Sequence, residues 1–82
     1  MTTMEKKIEL QIQTIGWKIE SCEKEMEQAK RNMADTLTRN DLDIASFMEQ
    51  YSKAFTAAYE KRKMLVEEQR MLQFIMKTEA AE

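Results

Sequence analysis

Through the first half of the chain an apolar side chain recurs after four residues, then three, then four again, without a miss: Ile8, Ile12, Ile15, Ile19, Cys22, Met26, Ala29 and Met33. The second half repeats the pattern through Ile44, Met48, Tyr51, Phe55, Ala58, Leu65, Leu72 and Met76, with Arg62 and Gln69 standing in the two gaps. An apolar repeat of ~3.5 residues keeps one stripe of a helix turned toward a partner helix, so that side chains pack as knobs into holes. The chain has no proline and one glycine, and so lacks the turn chemistry of a multi-strand fold. The pattern predicts an all-α fold: an antiparallel helical hairpin of two long, coiled-coil-like helices.

The 82 residues make one domain, 1–82. Thr2-Thr3-Met4-Glu5 reads as a capping box that opens helix 1. Thr38-Arg39-Asn40-Asp41 reads as a second one, with Asp41 and Asp43 near the positive end of helix 2. The expected spans are about 3–36 for helix 1, about 37–40 for the turn and about 41–77 for helix 2. At a rise of ~1.5 Å per residue the helices measure about 50 and 57 Å. A connection this short makes them antiparallel neighbours. Folding the chain about the Thr38–Arg39 bond sets Met33 against Ile44, Ala29 against Met48, Met26 against Tyr51, Cys22 against Phe55, Ile19 against Ala58 and Ile12 against Leu65. Small residues then oppose large ones in several layers, which fills a core of fixed spacing evenly. The same fold puts Arg62 against Ile15 and Gln69 against Ile8, a polar break in the seam. Arg62 either snorkels its guanidinium into water along the apolar stem or meets a carboxylate across an interface and sets register.

Helix 2 is too apolar for a single partner helix. Beside its seam runs a second stripe of Phe47, Ala54, Ala57, Met64, Met71 and Ile75, with Phe74 adjoining, and Tyr59 and Val66 widen the other flank. At ~100° per residue, seam and stripe together cover roughly 200° of the helix. A two-stranded coiled coil carries charges at such flanking positions; here only Lys61 and Glu68 do. More helices are therefore expected on helix 2, from a second copy that completes a four-helix bundle or from a different protein. On helix 1, Leu10 and Trp17 lie seven residues apart opposite the seam, with Gly16 beside Trp17. Tryptophan is enriched at interface hot spots, and a glycine lets another backbone approach closely. The candidate partner-binding residues are Leu10, Trp17, Phe47, Tyr59, Met64, Met71, Phe74 and Ile75; Arg62 and Gln69 are candidate register residues. Eight methionines add soft, adaptable surface to both seam and flank.

The sequence offers no catalytic or metal-binding constellation. It has no histidine, which removes histidine acid–base catalysis and histidine metal ligands. It contains no CxxC, glycine-rich phosphate loop or GxSxG. The expectation is a non-enzyme with no cofactor and no metal. The lone Cys22 sits on the apolar seam and reads as a core residue in a reducing compartment. No 18-residue apolar run and no apolar leader occur, so the reading is cytoplasmic, without a membrane span. The net charge of −2 opposes bulk attraction to phosphate. The one dense basic cluster, Tyr59-Glu60-Lys61-Arg62-Lys63, lacks the interleaved aromatics of a nucleic-acid stripe. Glu20/Lys24, Glu27/Arg31 and Glu49/Lys53 are helix pairs in the favourable orientation.

In length and format the chain resembles the small co-chaperones of type III secretion needle subunits, compact virus-encoded inhibitors and other small assembly factors. The resemblance is one of size and shape, rests on no diagnostic motif and transfers no residue. The leading expectation is a protein–protein interaction module, whether chaperone, adaptor or inhibitor, whose partner is another protein or a second copy in a homodimer. A self-assembling structural four-helix bundle is the alternative, and a small helical RNA- or DNA-binding dimer ranks below both.

Overall fold

The computed structural model describes residues 3–39 and 43–80. Two helices, α1 (Thr3–Thr38) and α2 (Ile44–Ala80), pack against each other as a hairpin of 63 × 14 × 13 Å. Helix α1 runs past Thr36 because its last turn is closed by its own groups. The Arg39 N–H donates to the Asp35 carbonyl at 3.1 Å, and the Thr38 hydroxyl donates to the same carbonyl at 2.8 Å. Thr38 therefore finishes α1, where the sequence pattern made it the cap of helix 2. Asp43 holds the N-cap position of α2: its carbonyl accepts the first helical bond, from the Phe47 N–H, at 3.1 Å. Aspartate is a favoured residue there, and its charge suits the positive helix end. Thr2 of the first capping box, and Asn40 and Asp41 of the second, lie outside the described residues.

The core is the seam that the repeat announces. Ile15, Ile19, Cys22 and Leu65 form a buried cluster, with Val66 and Leu72 packed on it, and Ala29 and Ala58 are buried as well. On α1 the most buried positions, Ile15, Cys22, Ala29 and Thr36, fall seven residues apart, one per heptad. Thr36 carries the seam one heptad beyond Ala29. Its hydroxyl donates to the Asn32 carbonyl at 2.8 Å, so the polar atom is satisfied inside its own helix. Among the described residues six apolar side chains are buried, few for helices of 36 and 37 residues, and a core that thin leaves much apolar surface uncovered.

The register differs from the one obtained by folding about Thr38–Arg39. Gln69 does not meet Ile8: its side-chain amide reaches the Ile12 carbonyl and lies beside Gly16. Arg62 does not meet Ile15: its Nε lies 3.7 Å from Glu23 Oε2. Phe55 does not meet Cys22: its ring lies under the Lys30 ammonium, 5.9 Å from the centroid. All three contacts are displaced along α1 in the same sense. The cause is the connection. Helix α1 ends at Thr38 and α2 begins at Ile44, which moves the fold point to about residue 41 and slides facing positions by about 7 Å. The Arg62 side chain is 39% exposed, and its guanidinium approaches a carboxylate on the other helix of the same chain.

Candidate functional site

All eight apolar side chains singled out from the sequence are exposed on the hairpin: Leu10, Trp17, Phe47, Tyr59, Met64, Met71, Phe74 and Ile75. They do not form one site. Met64, Met71, Phe74 and Ile75 share one side of α2, because residues three, four and seven apart stack along a helix face. Met64 and Phe74 are among the most exposed, at 71% and 70%. Phe47 lies further along the same stripe, near the connection, and its ring stacks on Tyr51 at 6.4 Å between centroids with 16° between planes. Tyr59 stands on the opposite flank of α2. There it lines a shallow groove of about 230 Å³ with Arg62, Lys63, Val66, Glu67 and Arg70.

The stripe on α2 is a second heptad seam. It runs Phe47, Gln50, Ala54, Ala57, Lys61, Met64, Glu68, Met71, Ile75 and Thr78, again in alternating steps of three and four, and every one of these residues is exposed. The hairpin core is complete without any of them.

Leu10 and Trp17 occupy the outer face of α1, turned away from α2. Trp17 is 60% exposed; Leu10 lines a surface groove of about 290 Å³ with Lys6, Glu9 and Gln13. Gly16 does not belong to this face. One residue is a rotation of ~100°, and Gly16 turns inward, half-buried against Gln69 of α2. The close approach it permits is that of Gln69 and not of an outside backbone. Because the helices are antiparallel, Leu10 and Trp17 share the end of the hairpin remote from the connection with Met64, Met71, Phe74 and Ile75.

Met4 and Leu37 are also exposed apolar side chains, at 58% and 66%, and neither stood out in the sequence. Leu37 fell in the stretch read as turn, where exposure carries no meaning; placed in the last turn of α1 it becomes an apolar residue facing solvent. A third groove, of about 300 Å³, lies between the helices and is lined by Glu25, Gln28, Ala29, Asn32, Tyr51 and Ala54.

The ion pairs of the hairpin lie at its surface. Lys53–Glu49 at 3.1 Å and Arg31–Glu27 at 3.8 Å are two of the helix pairs read from the sequence, and exposed pairs of this kind contribute a few tenths of a kcal/mol. Among the described residues no ion pair joins Glu20 to Lys24, no group of three or more acidic or cysteine side chains is placed to hold a metal, and no helix is long and apolar enough to cross a membrane. Cys22 is 1% exposed and a free thiol. The described residues offer exposed apolar helix faces. Compared with known proteins, the chain matches no family model, no curated protein and no solved structure.

Proposed function

We propose that the chain is a non-enzymatic protein–protein interaction module that binds helices along the apolar face of α2, acting in the cytoplasm as a small chaperone, adaptor or inhibitor. The observation that carries this reading is the second seam of α2. Met64, Met71, Phe74 and Ile75 stand exposed beside a hairpin core that is closed without them. Contiguous exposed apolar surface on a small protein marks an interaction site. Methionine suits such a surface because its unbranched side chain adapts to irregular partners, and an amphipathic helix is recognised through anchors at this spacing. Affinity capture from the native organism tests the reading. The tagged chain is expected to retain a partner that the Met64→Glu, Met71→Glu variant loses, with helicity unchanged. Identical capture by both would remove the α2 face from the function.

A self-assembling four-helix bundle is the second reading, favoured by the regularity of the second seam. Light scattering with and without cellular extract separates the two: a finished homo-oligomer keeps its mass in extract, whereas a binding module gains mass.

A further inference from the structure

We propose that the helix occupying the α2 face is the α2 of a second copy of this chain, antiparallel to the first across a two-fold axis at Met64. The proposal rests on the reading of that face as a helix-binding surface and names its occupant. Lys61 and Glu68 interrupt the apolar seam on either side of Met64. Both are exposed, and among the described residues neither takes part in an ion pair within the chain. A charge on a seam has to be answered by the partner, and the answer here is in the chain itself. With the axis at Met64, Lys61 of each copy meets Glu68 of the other, twice by symmetry. Met71 then lies on Ala57 and Ile75 on Ala54, large against small, with Met64 on Met64 at the centre.

The neighbouring registers fail. Moving the axis half a heptad one way sets Lys61 on Lys61, and half a heptad the other way sets Glu68 on Glu68. The intermediate positions lay Lys61 against Met64 or Met71, and Glu68 against Ala57 or Met64, and set the two charges about one helical turn out of step. Like charges set against each other reject a register, and matched ones select it. Their long stems let the charged heads reach the solvent edge while the methylenes cover apolar surface. An interface of one patch with itself closes after two copies. The product is a four-helix assembly.

Sedimentation equilibrium of the full chain tests the register. The wild type is expected to be a dimer at micromolar concentration. Lys61→Glu and Glu68→Lys should each weaken it by about tenfold or more, because each places like charges together twice. The combined charge swap should restore it, while Lys24→Glu, on the outer face of α1 with Leu10 and Trp17, changes nothing. On a Cys22→Ser background, Met64→Cys should form a disulfide between copies under mild oxidation. A double swap as weak as either single variant, or no Met64→Cys cross-link, overturns the proposal. So does a monomer at tens of micromolar; in that case the helix-binding reading stands or falls separately, on whether the Met64→Glu, Met71→Glu variant loses a captured partner.

Discussion

The Gln69 side-chain amide crosses the hairpin and donates a 3.2 Å hydrogen bond to the main-chain carbonyl of Ile12. That carbonyl already lies within α1, whose own bond at this point comes from the N–H of Gly16. Gly16 brings no side chain to cover it, and the Gln69 amide lies beside it. A polar residue on an apolar seam is costly unless it is answered. Gln69 is answered in this register.

This contact makes the register testable. With Cys22→Ser as background, a short thiol cross-linker should join Ala29→Cys to Tyr51→Cys within one chain, because both residues line the same interhelical groove. Ala29→Cys with Met48→Cys should react markedly more slowly, since Met48 lies about one further turn along the pair. Comparable rates for the two pairs in dilute solution would show that the register slides.

Gly16→Ala should stabilise the hairpin. Gly16 has no positive φ, and a methyl group added there would lie 3.5 Å from Gln69 Nε2, an ordinary contact with the end of a movable side chain. Alanine in place of glycine inside a helix gains about 1 kcal/mol, worth roughly 4–8 °C in the melting temperature of a domain this small. A lower melting temperature would mean that Gln69 loses its hold on Ile12 when the methyl group is present.

The heptad spacing carried the hairpin and nearly all of its core, because a 3.5-residue stripe has one low-energy use. It could not carry the register. A seam of alternating threes and fours falls on itself again after each half-heptad slide, so the match found by folding about Thr38–Arg39 was one of several. The choice among them lay in features weakly written in the sequence: the reach of α1 to Thr38, the Asp43 cap, and a bond from Gln69 to a main-chain carbonyl that no side-chain pattern reveals. Exposure of Met64, Met71, Phe74 and Ile75 was legible because a helix pair can cover only one stripe of each helix. Gly16 does not share the face of its sequence neighbour Trp17, because adjacent residues on a helix face different ways.

Arg62 should prove costly to stability and useful for register. It sits on the seam between the buried Ala58 and Leu65. Its contact with Glu23 is a single 3.7 Å approach with side chains 39% and 52% exposed, and a pair that open to water contributes about 0–1 kcal/mol. Arg62→Leu gives up that pair and buries an aliphatic side chain worth about 1.5–3 kcal/mol. Thermal melting should therefore show a more stable protein. The cross-linking selectivity between Tyr51→Cys and Met48→Cys should fall at the same time, because the variant lacks the charge pairing that favours one register. Destabilisation by Arg62→Leu would mean that the guanidinium contributes more than its distance and exposure allow.

Trp17 tests whether the outer face of α1 serves a second contact. It is 60% exposed on the side of α1 away from α2, and the buried cluster of Ile15, Ile19, Cys22 and Leu65 is closed without it. Its fluorescence in the free protein should be red-shifted and readily quenched by a small solute, and should move to the blue when a partner covers the ring. Trp17→Ala removes no packed contact of the hairpin core, so helicity and melting should stay within about 0.5 kcal/mol of wild type. Partner affinity should fall by about 2 kcal/mol, the scale of a tryptophan at an interface centre. The proposed α2 dimer should be unaffected, since its axis at Met64 lies on the other helix. A loss of melting temperature or of self-association in Trp17→Ala would instead make the indole part of the homo-oligomer, and α2 would remain as the surface left to bind a different protein.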